Sequence, residues 1–141
     1  MGTFAALKGR VALCAPLLLL AVPESGAGDE LKSVLKYPIS PGSIALLSTH
    51  TGESGAVARL KLALTHSSAE VRGVAARVIN LGSLAGLLAD AAAALDREAD
   101  PDAAREEIRL LFSRGGSSYD ETILAAARRL APRLDRELVR I

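Results

Sequence analysis

A helical pattern recurs in this chain at a fixed interval. Arg105, Leu111 and Gly115 fall 33 residues after Arg72, Val78 and Gly82. In the first copy Val71, Ala75 and Val78 share one helix face; in the second Ala104, Ile108 and Leu111 do. Each copy follows another helical run, with Val57, Leu60 and Leu64 before the first and Leu84, Leu88, Ala91 and Leu95 before the second. A single helix pair cannot bury its apolar face alone, so pairs repeating at this spacing must stack. The expected fold is all-α, a short α-solenoid of stacked antiparallel helix pairs. Composition points the same way. The 141 residues include 26 Ala and 24 Leu, both strong helix formers, and only 3% are aromatic, which excludes an ordinary β-sandwich or barrel. Alanine also lets helices approach closely.

Turn residues set the boundaries. Gly82 and Gly115 read as left-handed caps closing the second helix of each pair, and Asp100-Pro101-Asp102 as the turn inside the second pair. This predicts repeats at 55–82 and 83–115 and a partial one at 117–141. In the partial unit Tyr119-Asp120-Glu121 opens a helix with its face on Ile123, Ala127 and Leu130, and Pro132 is expected to interrupt it. Residues 29–54 form a lead-in: Asp29–Lys36 makes two helical turns, and Ser40-Pro41 caps a short helix through Ser48. Thr51–Gly55 is a turn, with Ser54 as the cap of the next helix. The last unit stops short of its second helix, so the repeat array is expected to be truncated or completed by a partner.

The first residues read as an address. Lys8 and Arg10 precede an apolar run of 12 residues, Val11–Val22, then Ser25-Gly26-Ala27. A membrane-spanning helix needs roughly 20 apolar residues, so the run predicts no stable transmembrane span. Charge, a short apolar stretch and small residues are the layout of a secretory signal peptide over 1–28. Leu13 is too large to precede a lipidated Cys14, Ala6 breaks the myristoylation pattern, and Pro16 argues against an uninterrupted buried helix. The expected location is secreted, periplasmic or cell envelope; the alternative is cytoplasmic, with the segment retained. Removing 1–28 leaves 15 basic and 15 acidic residues, with no global field to steer a polyanion.

Asp100-Pro101-Asp102 leading into Arg105, and Glu70-Val71-Arg72 followed by Ala75-Ala76, resemble the turn and second helix of HEAT repeats. The likeness covers 55–115 well and 117–141 in part; Ala104 stands where a valine is usual, and no aspartate precedes Ser67-Ser68. The resemblance implies a right-handed superhelical stack serving as a protein-binding scaffold. It also implies that Arg72 and Arg105 act between repeats, with Asp100 or Asp102 as the partner of Arg72.

Little else in the chain carries chemistry. One cysteine excludes an intramolecular disulfide or a Cys-rich zinc site. His50 and His66 each end a helix, where a cation meets the negative dipole end, and neither has a second ligand at metal spacing. Thr51–Gly55 does not fit G-x-S-x-G, because Gly55 directly follows Ser54. Glu106, Glu107, Asp90 and Asp96 read as solvated surface carboxylates. No catalytic residue, metal or cofactor is expected. The candidate partner-binding residues are those of the unfinished end: Arg129, Arg133, Arg136, Leu138, Arg140 and Ile141. These arginines suit a polyanion by number, but Asp135 and Glu137 interleave them and no aromatic residue accompanies them, so nucleic acid is a poor fit. The leading expectation is a non-catalytic exported protein–protein interaction scaffold, or the repeat portion of a larger envelope protein. Its partner is unspecified, and self-association through the unfinished end is included. The alternatives are a nucleic-acid backbone-binding module and a regulatory segment of an enzyme whose catalytic domain lies elsewhere.

Overall fold

The structure, a computed structural model, describes residues 26–138, with side chains from 28 to 133. The expected export segment lies outside this range apart from 26–28, as do Arg140 and Ile141. The described residues are helix and connecting turn, without strands. The α-helices are α1 (Gly26–Lys36), α2 (Pro41–Ala45), α3 (Ser54–Ala63), α4 (Ala69–Leu81), α5 (Leu88–Leu95), α6 (Pro101–Arg114) and α7 (Asp120–Leu138). Tight 3-10 turns at Leu46–Thr49, Ala85–Leu87 and Gly116–Tyr119 link them.

Local chemistry sets the helix starts. Ser40 caps α2 by accepting from Ser43 N at 3.2 Å, while Ser43 Oγ accepts from Ser40 N at 3.0 Å, a reciprocal capping box ahead of Pro41. Asp100 caps α6 by accepting from the Asp102 and Ala103 amides, both at 3.0 Å. The cap of α3 is Glu53, one residue before the expected Ser54, and the Glu53 carboxylate is taken up by His50 Nδ1 at 3.0 Å.

The helix ends differ from the expected caps. Gly82 and Gly115 both keep right-handed backbone, and the left-handed residues are the next ones, Ser83 (φ 54) and Gly116 (φ 56). At the end of α4, Leu84 N donates to Ile79 O and Ser83 N to Asn80 O, which is a Schellman motif. Leu84 then packs against the core. Glycine stands at 82 and 115 because of crowding. A Cβ at Gly82 would lie 2.6 Å from the Thr51 side chain, and one at Gly115 would lie 2.3 Å from the Tyr119 ring.

The helices α2, α4 and α6 form a row in which each packs on the next, with the α4–α6 contact the most extensive among the described residues. Three other helices lie against this row, α3 on α4, and α5 and α7 on α6, while α1 packs on α3 and the 3-10 turn at Leu46–Thr49. Helices α4 and α6 run parallel. Arg77 meets Glu106 and Asn80 meets Ser113 and Arg114, at separations of 29, 33 and 34 residues. On the other side Arg129 and Arg133 of α7 meet Leu95 and Ala99, each 34 residues back.

The core lies between the two sets and mixes leucine with alanine. Ile44, Leu47, Leu60, Leu64, Ile79, Leu95, Leu110 and Leu111 are its largest apolar members, and Ala56, Ala63, Ala75, Ala76, Ala91 and Ala126 are fully buried among them. Where α4 crosses α6, an added Cβ on Gly73 would stand 3.4 Å from Ala103 Cα. That approach offsets the roughly 1 kcal/mol that an interior glycine costs a helix.

Two expected faces are shifted. In α6 the buried stripe is Ala103, Ala104, Glu107, Leu110 and Leu111, and Ile108 is only partly buried. In α7 it is Ala126 and Leu130, with Ala127 exposed. Nor does Pro132 end α7; the helix runs through it to Leu138. Proline removes one helical bond, to the carbonyl of Arg128, and here it sits on an exposed face. No described helix is long and apolar enough to cross a membrane.

Candidate functional site

The functional geometry gathers around Arg72. This residue projects from the first turn of α4 toward the loop joining α5 to α6. Its Nε donates to Glu98 Oε2 at 2.5 Å and its Nη2 to Glu98 Oε1 at 2.7 Å, a bidentate pair. The remaining Nη1 donates to the carbonyls of His66 at 2.7 Å and Ser67 at 2.9 Å. Glu98 is buried, and its Oε1 also accepts from the amides of Ala99 at 2.9 Å and Asp100 at 2.8 Å. Burial opposes ionisation of Glu98, but the Arg72 bond and these amides outweigh it and hold the carboxyl below its usual range. The Glu98 bond likewise pushes the Arg72 pKa up against the opposing effect of burial.

This corrects the expected inter-repeat contacts. Arg72 does join one helix pair to the next, but through Glu98 and not through Asp100 or Asp102. The Asp100 carboxylate is taken by the α6 amides; Asp102 is exposed and pairs with Arg105 at 3.1 Å. Arg105 therefore bonds within its own helix. Position 131, which lies 33 residues after Glu98, is an alanine on continuous helix, so Arg105 has no loop carboxylate to meet.

Beneath the pair lies Glu107, wholly buried, with neither carboxylate oxygen hydrogen-bonded among the described residues. Burial, reinforced by the negative charge of Glu98 and partly offset by Arg72 and Arg129, pushes its pKa up to about 8. Glu107 was expected at the surface. The signal for its burial was present, since it falls in helical register between Ala103/Ala104 and Leu110/Leu111. Nothing in the local sequence marks Glu98, which follows the end of α5.

The arginines of α7 split. Because α7 is continuous, Arg129 and Arg133 share a face one turn apart. Arg129 donates to the carbonyls of Leu95 and Glu98, and Arg133 to that of Ala99. Both guanidinium groups are thus engaged on the α5–α6 loop. The backbones of Arg136 and Leu138 belong to α7, and their side chains lie outside the described residues.

Over the Arg72–Glu98 pair opens a cleft of about 430 Å³ between the end of α3 and α5. Leu62, Leu64, Ala93 and Ala94 supply apolar wall, and Lys61, His66, Arg97 and Asp90 the polar groups. Leu62 is 59% exposed there. Lys61 is paired with Asp90 at 3.0 Å. Such a volume, apolar with a few convergent polar groups, suits a ligand side chain or short peptide. The described residues hold no group of three or more His, Cys, Asp or Glu placed to bind a metal ion. Comparison with protein-family models, curated proteins and solved structures finds no match to this chain.

Proposed function

We propose that this chain is a non-catalytic protein-interaction scaffold, a short solenoid of HEAT-like helix pairs that presents the cleft between α3 and α5 to a protein partner. The observation that carries this reading is the parallel register of successive helices. Contacts recur at separations of 29 to 34 residues between α4 and α6 and between α7 and the end of α5 with its following loop, as translation of one unit along a stack requires. The sequence interval of 33 residues lies in the same range. Stacked pairs leave grooves at their junctions, and here one junction keeps an exposed leucine on its wall.

The reading includes export by the segment 1–28, and recovery from the source organism of a chain beginning near Asp29 would support that part. The scaffold itself is tested by affinity purification of the full chain and its Leu62→Asp variant from the source. A stoichiometric partner held by the parent and lost by the variant supports it. A partner indifferent to Leu62→Asp, or none, overturns it.

A further inference from the structure

We infer that the cleft between α3 and α5 takes a partner segment in which a carboxylate side chain stands beside a large apolar one. The inference rests on the scaffold reading and names the chemistry of its partner. Lys61 is matched by Asp90 and Arg72 by Glu98, so two of the cations are spoken for.

Two donors remain. Among the described residues Arg97, in the turn just after α5, pairs with no carboxylate; only its Nε is engaged, on the α5 carbonyl of Ala93 at 3.3 Å, leaving both terminal nitrogens to a ligand. His66 Nδ1 accepts from Ser68 N at 3.1 Å, which leaves Nε2 as the ring's donor, and that N–H has no acceptor among the described residues. The cleft therefore holds one positive charge in excess and two unmatched donors. A carboxylate supplies the complementary charge and acceptors, and the Arg97 fork suits its planar geometry.

The walls complete the specification. Leu62, Leu64, Ala93 and Ala94 form the apolar part of the lining, and Leu62 is left largely uncovered. A leucine-sized side chain adjacent to the carboxylate would cover it. A lysine or arginine in the same place would meet uncompensated positive charge.

The test is an NMR titration of the isotope-labelled full chain with acetyl-Leu-Asp-Leu-amide and, separately, acetyl-Leu-Lys-Leu-amide. The aspartyl peptide is expected to shift the amides of 61–66 and 93–99 saturably and to bind about tenfold more tightly than the lysyl peptide. Arg97→Glu should remove that preference, and the exposed position of Arg97 leaves the fold intact; Arg97→Gln serves as the milder variant. Equal binding of the two peptides, absence of saturation, or shifts elsewhere on the surface would overturn the inference. The scaffold reading fails separately. A natural partner lost with Leu62→Asp but unaffected by Arg97→Glu would overturn the acidic segment and leave the scaffold standing. Saturable peptide binding with no natural partner would do the reverse.

Discussion

Replacing Glu107 with glutamine isolates the energetic effect of one buried carboxyl. In the folded chain this group titrates at about 8, against 4.5 for an ordinary glutamate. Between those values the folded protein retains a proton that the unfolded chain has released. Stability must therefore fall as pH rises across this window, by about 1.4 kcal/mol per pH unit, and level off above it. By pH 7 the accumulated loss is about 3 kcal/mol. Glutamine does not titrate, so Glu107→Gln should abolish the slope. Its amide buries one more unmatched donor than the protonated acid does, at a cost of about 1 kcal/mol, so the net gain at pH 7 is expected to be about 2 kcal/mol, or roughly 10 °C in Tm. Glu98 acts in the opposite sense: its lowered pKa gives stability that is lost only as pH falls below the usual carboxylate range, outside the Glu107 window. Urea unfolding followed by far-UV circular dichroism from pH 5 to 9 measures both proteins. Parent stability that is flat or rising between pH 5 and 8, or an unchanged slope in the variant, would refute the reasoning.

Three further outcomes follow from the same structure. Arg72→Ala leaves Glu98 buried without its partner and should cost about 3–4 kcal/mol in urea unfolding, whereas Arg105→Ala, which breaks only an exposed contact, should cost under about 0.5 kcal/mol. Ser83→Gly removes left-handed strain after α4 and should raise stability by about 1 kcal/mol, visible as a higher Tm. Gly82→Ala drives a methyl into Thr51 and should lower stability by about 2 kcal/mol by the same measurement.

The helices were legible in the sequence because their information is local. Ser40-Pro41 and Asp100-Pro101 mark their starts without help from the rest of the fold, and the leucine and alanine spacing marks their buried sides. What was not legible depended on neighbours. Glu107 lies in register with the α6 core, yet its charge pointed to the surface and Ile108 looked like the core residue beside it; only packing against α4 and α7 decides which of the two goes inside. The Arg72 partner was expected in the aspartates of the turn, but Asp100 is consumed by capping and the longer Glu98 side chain reaches back. Pro132 reads as a break by propensity alone, yet α7 runs through it, with Arg129 and Arg133 held on the loop behind. The cleft had no signature, since Leu62, His66 and Arg97 are scattered residues that meet only after the pairs are stacked.

The arginine contacts to loop carbonyls bear on how the molecule comes apart. The loop between α5 and α6 is gripped from both directions, by Arg72 from the preceding pair and by Arg129 and Arg133 from the helix that follows. In a simple array each unit can fray independently, and half-melted species accumulate from the ends. Here melting of α7 removes the donors from the carbonyls of the loop it holds, and melting of α4 strands a buried carboxylate in the same loop. Partly melted chains are thereby made costly, and the segment from α4 to α7 is expected to lose its amide-exchange protection as one cooperative block.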